Sequence, residues 1–309
     1  MSQIPYSGEK TAKIGPVEVA YDTFGNPISP PMLLIMGLGA QMIRWDEAFC
    51  KALAAQGHWV IRFDNRDVGL STKFDQAGIP DIMSLIQGEK VDVPYKLKDM
   101  AADAVGLLDV LGIKSADVVG VSMGGMIAQT MAIHYPKRVR TLTSIMSSTG
   151  NPSLPQTRPE AMEVLFAPAA TNRKDYITSE LEAAKVLHGP KYPLNEEYVR
   201  NYSERSYDRC YHPQGFPRQL AAILGSGSRS EALAKVKIPT LVIHGSADPL
   251  VPVEGGKDTA KSIPGAKLLI IEGMGHSFPV EVVPQILRAI LQHTAPQKTK
   301  NSRTKDNER

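Results

Sequence analysis

One short stretch near the middle of the chain constrains the fold most strongly, because a single serine lies between two glycines where an apolar run meets a helix-like run. The stretch spans residues 118–132 and reads VVGVSMGGMIAQTMA, with Ser122 between Gly120 and Gly124. The β-branched residues before the serine predict a buried strand, and residues 123–135 predict a helix. The glycines let strand and helix approach closely and allow a strained backbone at the serine. We therefore expect the Ser122 hydroxyl to stand above the edge of a sheet.

This arrangement matches the G-x-S-x-G pattern of a nucleophile elbow. The five-residue pattern alone is weakly specific in a chain with 25 glycines among 309 residues. The flanking strand and helix make it specific. The alternative is a serine that only caps the helix that follows it.

Apolar strands alternate with helices on both sides of this turn, which favours a mostly parallel, doubly wound α/β sheet with helices on both faces. The predicted strands are VEVAYDTFG, PMLLIMG, HWVIRFD, DVVGV, RVRTLTSIMSS, TLVIHG and AKLLIIEG. Predicted helices cover residues 43–56, 97–111, 123–135, GGKDTAKSI and VEVVPQILRAILQH.

The alternation is interrupted once. After RVRTLTSIMSS the chain is rich in proline, tyrosine and arginine and contains amphipathic pieces such as RKDYITSELEAAKVL, but no strand pattern. We predict a helical cap at residues 151–226, inserted after the sixth strand, in a core formed by residues 1–150 and 227–296. Residues 297–309 contain no apolar side chain to bury and are predicted to be a disordered basic tail.

Charge and cysteine content exclude several function classes. The tail carries five basic and two acidic residues, which accounts for the whole net charge of +3. The body is therefore near neutral, and we expect no nucleic-acid partner. Cys50 and Cys210 are too far apart to indicate a disulfide framework or a zinc site. No signal peptide or membrane-spanning run is visible, so we expect a cytoplasmic monomer or homodimer with no membrane partner.

A serine nucleophile needs a base and an orienting acid, and open α/β sheets place such groups beyond the carboxyl ends of their strands. Asp248 follows the strand that ends at His244, and His276 follows the strand that ends at Ile271. The order serine, aspartate, histidine is the order found in α/β-hydrolases. Taken singly, Asp248 could begin a turn and His276 could be a loop histidine bonded to backbone. Together with Ser122 they predict a catalytic triad.

Backbone amides are the expected stabilisers of a developing oxyanion. One should come from Met123, directly after the nucleophile, and the second from Leu38 in the loop after the strand LLIMG. That loop, reading GLGAQM and followed by Asp64 at the end of the next strand, also partly matches a dinucleotide-binding fingerprint. Met42 stands where the third glycine would be, so nicotinamide binding is disfavoured.

The segments IMGLGAQ, RFDNRDVGLS, GVSMGGMIAQ, HGSADPLVP and EGMGHSFP resemble the α/β-hydrolase superfamily over roughly residues 17–293. Within it, LLIMGLGAQMIRWDEAFCKAL followed by GHWVIRFDNRDVGLS resembles the aclacinomycin methylesterase-like group of capped bacterial carboxylesterases. The resemblance implies an ester or related hydrolase without cofactor, and it maps nucleophile, acid and base onto Ser122, Asp248 and His276. The sequence shows no cluster of His, Asp and Glu at ligand spacing, so we also expect no metal. The lipase H-G-G-G loop is missing, and serine at the elbow disfavours dehalogenase and epoxide hydrolase chemistry. The DNRDVGLS element is interpreted as a structural element that holds its own loop in place.

The substrate is expected to be a small-molecule ester whose pocket is walled by the inserted segment. Trp45, shortly after the oxyanion loop, is a candidate for the acyl side. Three arginines of the insertion are candidates to bind an acidic group on the substrate: Arg200, Arg205 and Arg209. The favoured interpretation is structural, with the arginines solvated and the tyrosines of the insertion packed against the core. A serine carboxylesterase is the first choice of function. A non-hydrolytic receptor, or an acyltransferase or perhydrolase on the same fold, remains an alternative.

Overall fold

The computed structural model describes residues 3–295, which contain one eight-stranded sheet. Its strands are β1 (Lys10–Ile14), β2 (Val17–Phe24), β3 (Pro31–Ile35), β4 (Trp59–Phe63), β5 (Ala116–Val121), β6 (Val139–Ile145), β7 (Thr240–Gly245) and β8 (Lys267–Ile271). They are arranged in the order β1-β2-β4-β3-β5-β6-β7-β8. The pairs β1–β2 and β2–β4 are antiparallel and the other pairs are parallel. The predicted mostly parallel sheet is confirmed.

The helices connect and cover these strands. They are α1 (Glu47–Ala55), α2 (Ile82–Ile86), α3 (Leu97–Val110), α4 (Met123–His134), α5 (Pro159–Leu165), α6 (Arg173–Leu187), α7 (Glu196–Arg209), α8 (Gly215–Leu224), α9 (Ser230–Leu233), α10 (Val253–Ser262) and α11 (Val283–Thr294). Within residues 3–295 no helix combines the length and the apolar character needed to cross a bilayer.

Both faces of the sheet are buried, as a doubly wound sheet requires. Leu33 and Ile35 of β3 belong to the hydrophobic cluster that includes side chains of α3 and α4. Met32 and Leu34, which point to the opposite face, belong to the cluster that includes side chains of α1 and α11. Alternate residues of one strand therefore serve two separate cores, which explains why β3 reads as a continuous apolar run.

Two details of the sequence prediction were wrong. The helix predicted over residues 43–56 is interrupted: a 3-10 turn covers Met42–Arg44, and α1 begins only at Glu47. The Asp46 carboxylate caps α1 by accepting a hydrogen bond from the Ala48 N–H at 2.7 Å. Strand β1 was missed because only Ala12 is buried in it, so the strand lacks an apolar pattern.

The segment between β6 and β7 contains helices α5 to α9 and, over residues 146–239, no strand. This agrees with the strand-free stretch expected from the sequence. The predicted basic tail, residues 297–309, lies outside the described residues.

Candidate active site

The turn between β5 and α4 has the strained geometry expected at Ser122. Its φ is 55°, in the left-handed region that non-glycine residues rarely adopt. A Cβ on Gly120 would lie 2.1 Å from the Gly124 carbonyl oxygen, and a Cβ on Gly124 would lie 2.1 Å from the Ile35 carbonyl oxygen. Both glycines are thus required for helix α4 to approach the strands, and this close approach presents the Ser122 side chain at the strand ends.

Three of the predicted side chains meet at this edge of the sheet. His276 Nε2 lies 3.0 Å from Ser122 Oγ, and His276 Nδ1 lies 2.7 Å from Asp248 Oδ2. The residues come from loops after three different strands, β5, β7 and β8, as the sequence order required. A continuous hydrogen-bonded chain therefore runs from the carboxylate through the imidazole to the hydroxyl.

The Asp248 carboxylate is buried and fully engaged. Its Oδ1 accepts hydrogen bonds from the N–H groups of Leu250 and Val251, both at 2.9 Å, while Oδ2 faces His276. Burial raises the pKa of this carboxyl, but the nearby His276 and His244 side chains outweigh that effect and hold the pKa below its ordinary value. Asp248 therefore stays ionised at neutral pH and can orient the imidazole.

The two residues expected to supply oxyanion amides are Met123, next to Ser122 in sequence, and Leu38, in a loop packed against Ser122. Met123 is the first residue of α4, where a backbone N–H has no acceptor within its own helix. The loop that carries Leu38 runs directly against the serine, since a Cβ on Gly37 would lie 3.1 Å from Ser122 Cβ. Within residues 3–295, neither the Leu38 N–H nor the Met123 N–H donates a hydrogen bond to another protein group.

The inserted helices supply contacts to this region that sequence reasoning missed. At the end of α6, the Leu187 carbonyl accepts a hydrogen bond from the His276 N–H at 2.6 Å, and the His188 carbonyl accepts one from the Gly275 N–H at 3.0 Å. On α8, Gln219 Oε1 accepts a hydrogen bond from the Gly39 N–H at 2.8 Å. Gly39 and Gln219 are 180 positions apart in sequence, and no motif links them.

The DNRDVGLS element pins its own loop, as expected. Asp64 accepts hydrogen bonds from the N–H groups of Met42 and Leu70, and its carbonyl accepts one from the Ser71 hydroxyl. Asp64 is fully buried and lies 2.8 Å from Arg209 Nη1. A carboxylate so enclosed has no free face for a ribose hydroxyl, which adds to the reasons against nicotinamide binding.

The remaining pocket candidates have structural partners. Trp45 is 1% exposed, and its ring lies 5.9 Å from that of Phe278, two residues after His276. Its assignment to the acyl side stays a prediction. Arg209 is not solvated as expected: its guanidinium is largely buried and paired with Asp64 and Glu9. Three tyrosines of the insertion pack against one another: Tyr176, Tyr207 and Tyr211.

One cluster has side chains of the kind that bind metals. Ligand atoms of Asp67, Asp75 and His212 lie within 4.8 Å of one another. The guanidinium of Arg218 already lies among them, with Nη2 2.8 Å from Asp67 Oδ1 and 2.7 Å from Asp75 Oδ1. Because a cationic side chain fills this cluster, its residues fit an internal ion-pair network better than a metal site.

Comparisons with known proteins agree on one family. The profile of a family described as "alpha/beta hydrolase fold" matches residues 30–281. Rhodomycin D methylesterase from Streptomyces sp. (strain C5) is 30% identical over 292 residues, which cover 87% of this chain and 92% of that protein. The rhodomycin D methylesterase of Streptomyces peucetius is 30% identical over 293 residues, with the same coverage of 87% and 92%.

Solved structures show the same fold. The enol-lactonase from Burkholderia xenovorans superposes with a TM-score of 0.71 at 20% identity, over 92% of this chain and 99% of that one.

Proposed function

Because the chain belongs to the α/β-hydrolase fold family, we propose that it hydrolyses carboxylic esters of small molecules through an acyl-enzyme. Ser122 is the nucleophile, His276 the general base and acid, and Asp248 the orienting acid. The observation that carries this proposal is the hydrogen-bonded chain from Asp248 Oδ2 through the His276 imidazole to Ser122 Oγ. The methylesterase relatives support an ester as the substrate.

The first half of the reaction forms the acyl-enzyme. Ser122 Oγ attacks the ester carbonyl carbon while His276 Nε2, 3.0 Å away, takes the hydroxyl proton. Asp248 holds the proton of Nδ1, so the Nε2 lone pair faces the serine, and its charge stabilises the imidazolium that forms. His276 then returns the proton to the departing alkoxide, and the alcohol leaves.

The negative charge that develops on the carbonyl oxygen is stabilised by the Leu38 and Met123 amides. Met123 also contributes the positive end of the α4 dipole. Because neither N–H has a protein acceptor within residues 3–295, both are available to the oxyanion.

The second half of the reaction regenerates the serine. Water enters in place of the alcohol, His276 accepts its proton, and hydroxide attacks the acyl carbon through a second tetrahedral intermediate. The Ser122 oxygen leaves and recovers its proton from His276. The products are a carboxylic acid and an alcohol.

We assign residues 151–226 as a cap over the reacting groups. The support is that α6 and α8 within this segment hydrogen-bond the loops of His276 and Gly39, respectively. A cap in this position excludes water and forms the walls of the substrate pocket.

Steady-state hydrolysis of an ester panel tests the proposal. The panel is graded by acyl length and alcohol size, and it includes methyl esters because two relatives are methylesterases. We expect sustained turnover by the wild type and a loss of about 10⁴-fold in kcat for Ser122→Ala. Ser148→Ala, at the neighbouring strand end, is the matched control and should retain full activity. A single burst without turnover would instead indicate a receptor, and acceleration by an alcohol or peroxide would indicate an acyltransferase or perhydrolase.

A further inference from the structure

The loop that carries the proposed oxyanion amide is fixed by the inserted helices as well as by the core. We propose that Gln219, on α8, is a positioning residue that sets the Leu38 amide for catalysis by holding Gly39. This inference rests on the proposed esterase function. It makes the hydrogen bond between the inserted segment and Gly39 a condition of catalysis, in addition to any role of the segment in forming the pocket.

Gln219 bridges the loop and the core with both ends of its side-chain amide. Its Oε1 accepts the Gly39 N–H at 2.8 Å, and its Nε2 donates to the Arg66 carbonyl at 2.7 Å. The side chain is fully buried. A buried amide with both ends bonded has a single favourable orientation, so it fixes the position of Gly39.

The same helix also restricts the loop sterically. Gly39 has a φ of +68°, and a Cβ there would lie 2.8 Å from Cδ2 of Phe216, on the first turn of α8. The backbone of Gly39 is therefore enclosed by Phe216 and hydrogen-bonded by Gln219. Leu38 is the residue between this contact and Gly37, whose backbone lies against Ser122.

The other attachments of the loop show why Gln219 matters. On its N-terminal side, the Met36 carbonyl accepts a hydrogen bond from Asn65 Nδ2 of the core at 3.0 Å. On its C-terminal side, Gln41 Nε2 donates to the carbonyls of Ser206 and Cys210, both at 2.7 Å. On the C-terminal side of Gly37, the side-chain hydrogen bonds of Gln219 and Gln41 therefore link the loop to the inserted segment.

Helix α8 is itself held against the core by buried hydrogen bonds, so it can fix the position of the loop that carries Leu38. Arg218, adjacent to Gln219, donates two hydrogen bonds to Asp67, from Nε at 2.9 Å and from Nη2 at 2.8 Å. Asp67 also accepts a hydrogen bond from the Tyr95 hydroxyl at 2.6 Å. All three side chains are buried.

Gln219→Met is the principal test, because methionine keeps the length of the side chain and removes both hydrogen bonds. Removing an oxyanion donor costs about 10²–10³ in kcat, and misplacing one should cost somewhat less, about 10- to 100-fold. KM should change by less than about threefold, since ground-state contacts are retained. The inhibition constant of an aryl trifluoromethyl ketone, whose hemiketal oxyanion occupies the same position, should rise by the same factor as kcat/KM falls.

Ser226→Ala is the matched control. Ser226 follows α8 and accepts a hydrogen bond from the Leu97 N–H at 3.0 Å, but it does not contact the loop. The Ser226→Ala substitution removes a hydrogen bond at the end of the same helix and leaves the hydrogen bond to Gly39 in place, so kcat should stay within about twofold of the wild type, well below the 10- to 100-fold loss expected for Gln219→Met.

Gln219→Glu gives a second readout that remains available if Gln219→Met does not fold. The ionised carboxylate of this variant can accept the Gly39 N–H, but its second oxygen repels the Arg66 carbonyl oxygen. A protonated carboxyl can accept the Gly39 N–H and donate its O–H to the Arg66 carbonyl. The ratio of its kcat to that of the wild type should therefore rise as pH falls.

The outcomes separate this inference from the proposed function. A wild type that turns over no ester refutes the proposed function. If the wild type is active, three results refute the positioning role. They are a kcat of Gln219→Met within twofold of the wild type, an effect of Gln219→Met on KM alone, and a loss of kcat in Ser226→Ala equal to that in Gln219→Met. If only Gln219→Glu folds, a kcat ratio independent of pH refutes it.

Discussion

Replacing Asp248 with asparagine exchanges one carboxylate oxygen for an NH₂ group at nearly constant shape. In the wild type, Oδ1 accepts the N–H groups of Leu250 and Val251, each at 2.9 Å, and Oδ2 lies 2.7 Å from His276 Nδ1. If the asparagine oxygen keeps both backbone hydrogen bonds, its NH₂ group must face Nδ1. An NH₂ group can only donate there, so the imidazole must carry its proton on Nε2 and present an N–H to the Ser122 hydroxyl.

The opposite orientation of the asparagine is unfavourable. It would turn the NH₂ group toward two buried backbone donors and leave both without an acceptor, at about 1–3 kcal/mol each. A penalty of about 2–6 kcal/mol keeps nearly all molecules in the orientation with the wrong tautomer. At the upper end of this range kcat should fall about 10⁴-fold, equivalent to about 5.5 kcal/mol of transition-state stabilisation, and even a penalty of about 2 kcal/mol should lower kcat about 30-fold.

The assay is initial-rate hydrolysis of a p-nitrophenyl ester, with thermal unfolding measured in parallel. Because both backbone hydrogen bonds survive, the midpoint of unfolding should change little. Asp258→Asn is the matched control: that carboxylate accepts a hydrogen bond from the Thr149 hydroxyl and does not contact the triad, so kcat should be unchanged. The reasoning is refuted if Asp248→Asn keeps more than about a tenth of the wild-type activity, since the tautomer effect predicts a larger loss.

Two further predictions concern protonation and packing. Since the pKa of Asp248 is lowered and this carboxylate stays ionised, it should add no second protonation to the pH profile, and log kcat/KM should fall with decreasing pH at a limiting slope of about one; a slope of two would contradict this. Gly124→Ala should destabilise the fold by about 3 kcal/mol or more, because the new Cβ would meet the Ile35 carbonyl oxygen at 2.1 Å. A denaturation midpoint equal to that of the wild type would show that the elbow tolerates the side chain.

The sequence predicted the parts of the site that depend on strand ends. Ser122, Asp248 and His276 each follow an apolar strand pattern, and parallel strands bring their carboxyl ends to one edge whatever the details of the connections. Strand order was not needed for this inference. The same logic selected the loop of Leu38, which follows β3, as the candidate source of an oxyanion amide.

Contacts made by the insertion could not be predicted in this way. The bond between Gln219 and Gly39 and the bond from the His276 N–H to the Leu187 carbonyl depend on how helices without a strand framework pack over the sheet. No periodicity encodes that packing. The prediction was also wrong around Asp46, because the sequence pattern of residues 43–56 is typical of one continuous helix, whereas the Asp46 side chain caps a helix that begins after it.

The most direct test of the central claim is covalent labelling of the nucleophile. A fluorophosphonate should add one phosphonyl group per chain, and peptide mass mapping should place it on Ser122, because its hydroxyl lies 3.0 Å from His276 Nε2 and that imidazole is in turn held by Asp248. The label should be lost in Ser122→Ala and retained in Ser148→Ala. A stoichiometric adduct on Ser147 or Ser148, or undiminished labelling of Ser122→Ala, would contradict the account.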